Sequence, residues 1–175
     1  MVDPEVAALT FRRDLDRFWE GGRPDELSWK RREVDALTEL IDVVGVTPDG
    51  SSYPHLVKLS ANYYPVHPPQ VLFVVPDDLS EAGEGSRWFP TAAPDGDPSR
   101  PGWFGIHHTY DYQDGIQRQL ICYSHNLDYY LSNHSPNESE VWRQGTHTVS
   151  ATLSRLAEIL SSIYYRGPAC VEATA

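Results

Sequence analysis

Cysteine is nearly absent from this 175-residue chain: two occur, Cys122 within an apolar run and Cys170 near the C-terminal end. Such usage is not the dense, even spacing of a secreted disulfide scaffold. Positive charge is scarce too, with 14 Lys and Arg against 25 Asp and Glu and a formal net charge of −11. Affinity for nucleic acid comes largely from Lys and Arg releasing counterions condensed on phosphates, so this balance argues against a nucleic-acid partner. No segment approaches the roughly 20 apolar residues of a membrane span, and Met1-Val2-Asp3-Pro4-Glu5 lacks the basic-then-apolar pattern of an export signal. The expectation is a soluble, cytoplasmic protein with no membrane partner, whose sequons at Asn133 and Asn137 carry no sugar. Metal-ligand spacing is also missing. His107, His108, His125, His134 and His147 crowd one third of the chain, yet no His-Glu-x-x-His or Cys-x-x-Cys completes a set. Neither a metal nor a cofactor is expected.

What is present is an ordinary globular composition, 40% hydrophobic and 22% charged, in a chain long enough to bury one core. We therefore expect a single domain over 1–175, with 166–175 as a tail. Phe11, Leu15, Phe18 and Trp19 recur at helical spacing before Gly21-Gly22, which predicts an amphipathic first helix from Pro4 to Trp19. The stretch from Glu33 to Val46 suits either helix or strand, and its β-branched content favours a strand. After the turn at Pro48-Asp49-Gly50-Ser51-Ser52, Leu56–Leu59 and Val71–Val75 read as neighbouring strands of an antiparallel meander. The unbroken apolar run of the second predicts a central strand covered on both faces. Between them, Tyr63-Tyr64-Pro65-Val66-His67-Pro68-Pro69 must form a rigid non-helical crossover, because proline fixes φ and lacks an N–H. The Gly, Pro, Asp and Ser content from about 80 to 102 predicts a long surface loop. Val149, Leu153, Leu156, Leu160 and Ile163 mark one face of a last helix, led by Thr146 or Thr148 and ended by Gly167-Pro168. The basic clusters Arg12-Arg13 and Lys30-Arg31-Arg32 fit either a docking patch or a solvated face.

Taken in order, these segments resemble a known family. Tyr64-Pro65-Val66-His67-Pro68-Pro69-Gln70-Val71-Leu72-Phe73 is similar to the Tyr-Pro-x-x-Pro-Pro-x-Val-x-Phe signature of ubiquitin-conjugating enzymes. Gln119-Leu120-Ile121-Cys122 resembles that family's apolar-cysteine segment, and Trp142 before a threonine-led helix resembles the tryptophan ahead of its second helix. The insertion from Tyr123 to Val141 and the reduced C-terminal part look like the divergent bacterial members encoded in antiphage defence operons. The family's His-Pro-Asn triplet has no counterpart: counting back from Cys122 reaches Tyr112-Gln113-Asp114, and the nearest likeness, His107-His108-Thr109, stands further away.

The resemblance implies an α+β ubiquitin-conjugating-enzyme fold, with an N-terminal helix, an antiparallel meander and a central or C-terminal helix packed on the sheet. Tyr64, Pro65, Pro68, Pro69 and Trp142 would carry its structural motif. It implies a transferase in which Cys122 holds the C-terminus of a ubiquitin-like or other protein as a thioester and passes it to an amine of a target protein. A ubiquitin-like activating enzyme, the modifier and the target are then the partners. Thioesters suit such relays because sulfur conjugates poorly with a carbonyl, leaving the acyl group activated. Near Cys122, Asn126 and Asn133 are candidate donors to a developing oxyanion, Asp128 could orient or deprotonate the amine, and His125 could act as base. Two other readings use the same residues. An inactive family member would serve as a binding module with Cys122 buried as a small hydrophobe, and a cysteine hydrolase would pair Cys122 with one of the nearby histidines.

Overall fold

The computed structural model describes residues 2–93, 105–134 and 136–169, so Cys170 lies outside the described residues. The protein is a mixed α+β structure built from an N-terminal helix and a four-stranded antiparallel sheet. Helix α1 spans Pro4–Glu20, and the Asp3 carboxylate accepts hydrogen bonds from the Glu5 and Val6 amides at its start. Its buried face, Ala7, Phe11, Leu15 and Phe18, is the one its periodicity predicts. A single helical turn, α2 (Arg23–Glu26), leads into the sheet.

The sheet runs β1 (Lys30–Asp35), β2 (Thr38–Val46), β3 (Ser52–Ser60) and β4 (Gln70–Phe73), each antiparallel to the next. The expected strand over Glu33–Val46 is two: Glu33 belongs to β1, and the chain reverses before Thr38. Lys30-Arg31-Arg32 forms the outer edge strand, where charge discourages pairing with other chains. Several cations are matched within the chain. Arg31 donates to Asp16 at 2.7 Å and lies 4.9 Å from the Trp19 ring. Arg12 pairs with buried Glu39 and donates to the Asp35, Ala36 and Thr38 carbonyls, which fastens α1 to the β1–β2 turn.

Helix α4 (Val149–Leu160) lies with α1 over one face of the sheet. Phe11, Leu15, Ile41, Val57, Phe73, Leu153 and Leu156 are central to that core, each fully buried side chain contributing about 1.5–3 kcal/mol. On the other face Leu40, Leu56, Leu72 and Val74 sit under Leu79 and Trp88. The helix stops at Leu160, where the Ser161 and Ser162 hydroxyls take up the Ala157 and Ile159 carbonyls. Ile163 therefore falls off the expected face and is 66% exposed. Gly167 and Pro168, read as the helix stop and tail, belong instead to β8 (Tyr165–Pro168). This strand pairs with β5 (Pro90–Ala92) out of the predicted loop. Tyr165 passes so close to Gly45 that a Cβ there would lie 2.5 Å from its ring.

The strand expected to be central, β4, is an edge of the sheet by backbone pairing. It is buried because side chains close its open edge. A hairpin of β6 (Gly105–Asp111) and β7 (Gln117–Cys122) stands beside it. The Phe73 amide donates to Gln119 Oε1 at 2.8 Å, and Gln119 Nε2 donates back to the Phe73 carbonyl at 2.7 Å. Two residues along, the Val71 amide donates to Asn126 Oδ1 at 3.0 Å. Carboxamides thus replace the missing strand, an arrangement that an apolar-run argument cannot detect.

The proline crossover is fastened at several points. Tyr64 is fully buried, its peptide bond to Pro65 is cis, and its hydroxyl donates to Asp14 of α1 at 2.5 Å while accepting from the Val149 amide at 3.2 Å. Trp142 Nε1 donates to the Pro65 carbonyl at 2.9 Å, and the Pro69 carbonyl accepts from Leu127.

His55, buried on β3, bridges the Trp88 carbonyl and the Tyr165 hydroxyl, and burial pushes its pKa down to about 4. The unfolded chain takes up that proton near pH 6.5, so acidification favours unfolding at this site between about pH 6.5 and 4. Two outcomes are expected in urea titrations followed by tryptophan fluorescence. Gln119→Ala strands the Phe73 amide and carbonyl and should cost about 2–4 kcal/mol, whereas an unchanged midpoint would contradict the edge closure. In His55→Gln the midpoint should fall less between pH 6.5 and 4 than in the unaltered chain.

Candidate active site

Cys122 ends β7 and is 8% exposed. The turn after it leads to α3 (Leu127–Leu131), a short helix inside the segment read as a polar insertion. Asn126 caps this helix by accepting from the Asp128 amide. The chain then returns toward β6 and β7. Tyr112 and Ser132 form an isolated bridge, the Gln113 amide donates to the Leu131 carbonyl at 3.0 Å, and Gln113 Nε2 donates to the Ser132 carbonyl at 2.9 Å.

That return brings His134 to the thiol. Its Nε2 lies 3.3 Å from Cys122 Sγ, and its Nδ1 lies 2.9 Å from the Ser132 hydroxyl. Ser132 has one hydroxyl proton, directed to the Tyr129 carbonyl at 3.1 Å. The Ser132 oxygen therefore accepts from Nδ1–H, which leaves the Nε2 lone pair facing the thiol. Burial, and then nearby His107, lower the His134 pKa. The imidazole is neutral at rest and able to take the Cys122 proton. Thiol, imidazole and hydroxyl thus stand in sequence, an arrangement that can activate a cysteine.

The His134 ring lies close to two tyrosines, Tyr110 of β6 at 5.0 Å and Tyr129 of α3 at 4.6 Å between centroids. A cavity of about 270 Å³ lies on the Tyr129 side, with Ser124, His125, Glu140 and His147 in its wall. Another of about 310 Å³ lies on the Tyr110 side, lined also by Asn133.

The other candidates are occupied differently. Asn126 is fully buried, and its carboxamide nitrogen donates to the Ile121 carbonyl while its oxygen serves Val71 and Asp128. That amide holds β4, β7 and α3 together. His125 is half-buried against Trp142 and His147, its ring 4.7 Å from that of His147. Burial, followed by the His147 neighbour, lowers its pKa to about 4. Asp128 is fully buried, with Oδ1 accepting from Gln70 at 2.9 Å. Burial raises its pKa to about 6 against the opposing Gln70 bond. Its sense is opposite to that of His55: native Asp128 holds its proton more tightly, which favours the unfolded state as pH rises from about 4 to 6. Gln113, where counting back from Cys122 arrives, supports the segment carrying His134.

Sequence reasoning counted His134 among the histidines without assigning it to Cys122. The twelve-residue separation has no periodic signature, and it closes only because α3 is one short capped helix between two reversals. Among the described residues no three His, Cys, Asp or Glu side chains converge as metal ligands, and no helix is long and apolar enough to cross a membrane.

The dyad makes a direct prediction. With iodoacetamide at pH 7, labelling of Cys122 read by peptide mass spectrometry should slow at least about tenfold in His134→Ala and less in Ser132→Ala, as expected when thiolate formation depends on the base. Equal rates would remove His134 from the chemistry. No family model and no curated protein matches this chain.

Proposed function

We propose that the protein is a thioester-forming acyl transferase of the ubiquitin-conjugating type, with Cys122 as nucleophile and His134 as its base. The observation that carries this reading is the 3.3 Å contact between Cys122 Sγ and His134 Nε2, backed by Ser132 on Nδ1. The helix-then-meander order, the Tyr64-Pro65 crossover between β3 and β4, and Trp142 ahead of α4 support the family assignment.

In the first half-reaction Cys122 gives its proton to His134 Nε2, and the thiolate attacks the carbonyl of a protein C-terminus held as a thioester on an activating enzyme. The tetrahedral adduct collapses, the activating enzyme's sulfur leaves, and it recovers the proton from His134. In the second half-reaction a target amine attacks the Cys122 thioester and loses a proton to His134. An amide forms, and the departing Cys122 thiolate is reprotonated by the imidazolium. Neutral His134 suits both halves because the same nitrogen takes and returns each proton. The modifier's C-terminus and the target amine must both reach the rim where His134, Tyr110 and Tyr129 are half-buried. The antiphage-defence setting and a cytoplasmic location belong to this proposal.

A second reading, a cysteine hydrolase, is favoured by the same dyad, because a base beside the thiol can also activate water once the acyl group is in place. The two separate in one experiment. Incubation with a cognate activating enzyme, modifier and ATP should yield a thiol-sensitive adduct that Cys122→Ala abolishes. Release of product from a modifier ester without an activating enzyme would select the hydrolase. Absence of both, with slow Cys122 labelling in the folded protein, would select a binding module.

A further inference from the structure

We infer that Tyr110 and Tyr129 are positioning residues that clamp His134 with their rings and stabilise the imidazolium formed when Cys122 gives up its proton. This inference rests on the thiol chemistry proposed above and adds two residues to it. The His134 ring lies 5.0 Å from that of Tyr110 and 4.6 Å from that of Tyr129 between centroids, tilted 32° and 34° from them, within reach of a ring-to-cation attraction. An aromatic face carries negative potential, and a cation within about 6 Å of its centroid is attracted, more strongly where water is excluded. His134, Tyr110 and Tyr129 are all half-buried.

The two faces come from separate elements, one from β6 and one from α3, so no local helical spacing accounts for them. The Tyr110 hydroxyl lies 3.4 Å from Nε2 and offers an oxygen to the N–H formed there. The groups facing His134 are His107 and Tyr110 from β6, Cys122 from β7, and Tyr129 and Ser132 from α3 and the turn after it. Tyr129 in turn feels Glu140 and Tyr130. Burial and His107 disfavour charge on the imidazole, whereas the ring faces and the thiolate favour it. Proton transfer is balanced: Sγ–H breaks, Nε2–H forms, and the pair stays neutral overall. Because the ring faces favour only the charged imidazole, they lower the free energy of the ion pair relative to the neutral pair.

The test is the pH profile of Cys122 labelling by iodoacetamide in the full chain, read on the Cys122 peptide. Tyr110→Leu and Tyr129→Leu should each slow labelling at pH 7 about fivefold without moving any inflection up in pH, because the lost face destabilises every state that carries a charged imidazole. Tyr129→Phe, which keeps the face, should stay within about twofold of the unaltered protein. Phenylalanines bearing increasing numbers of ring fluorines at position 129 keep the shape while weakening the negative face. They should slow labelling stepwise, and they keep the test decisive if a leucine variant fails to fold. A flat fluorine series, or Tyr129→Phe as slow as a folded Tyr129→Leu, would overturn the inference. If His134→Ala also leaves labelling unchanged, the thiol chemistry fails with it. If His134→Ala slows labelling and the fluorine series is flat, only the clamp fails.

Discussion

The open edge of β4 is closed by two side-chain amides, and the placement of Cys122 depends on that closure. Backbone pairing runs through the meander and stops at β4, which leaves the Val71 and Phe73 amides directed away from β3. Buried unpaired backbone groups cost about 1–3 kcal/mol each, so an uncovered edge of this kind would not remain inside a core. Gln119 answers Phe73 in both directions, and Asn126 answers Val71. Gln119 lies three residues before Cys122 and Asn126 four after it, so the same bonds that close the sheet fix both sides of the cysteine.

That constraint explains why a histidine from a polar loop can serve a strand cysteine. Asn126 begins α3, the Gln113 side chain and amide hold the segment that ends it, and Ser132 at that end turns His134 inward. The crossover meets the same segment through the Pro69 carbonyl, which accepts from Leu127 of α3. Tyr64 joins α1 and α4 through Asp14 and Val149, and Trp142 reaches back to the Pro65 carbonyl. The motif residues are therefore structural in their contacts: they hold in place the segments that bring Cys122 and His134 together.

The charge distribution follows the same internal economy. A chain with 25 acidic and 14 basic residues has few cations to present outward, and Arg12 and Arg31 are engaged with α1, the β1–β2 turn and Asp16. Desolvation favours the neutral forms of His55, His125 and Asp128, lowering the pKa of the two histidines and raising that of the aspartate.

The sequence by itself determined the first helix, the strands around Val57 and Leu72, the rigid crossover and the apolar face of the last helix as far as Leu160. Each is written in local periodicity or in the fixed φ of proline, which neighbours cannot easily override. It also singled out Cys122, through the resemblance that its segment, the proline crossover and Trp142 carry together. Only the tertiary structure decided that β4 is an edge closed by amides, that Gly167 and Pro168 belong to a strand, that Asn126 is a clamp, and that His134 faces the thiol. Those outcomes turn on hydrogen bonds between residues up to about 80 positions apart, such as Trp142 to Pro65. A carboxamide standing in for a strand has no period in the sequence, because its partner is backbone and backbone is the same at every residue.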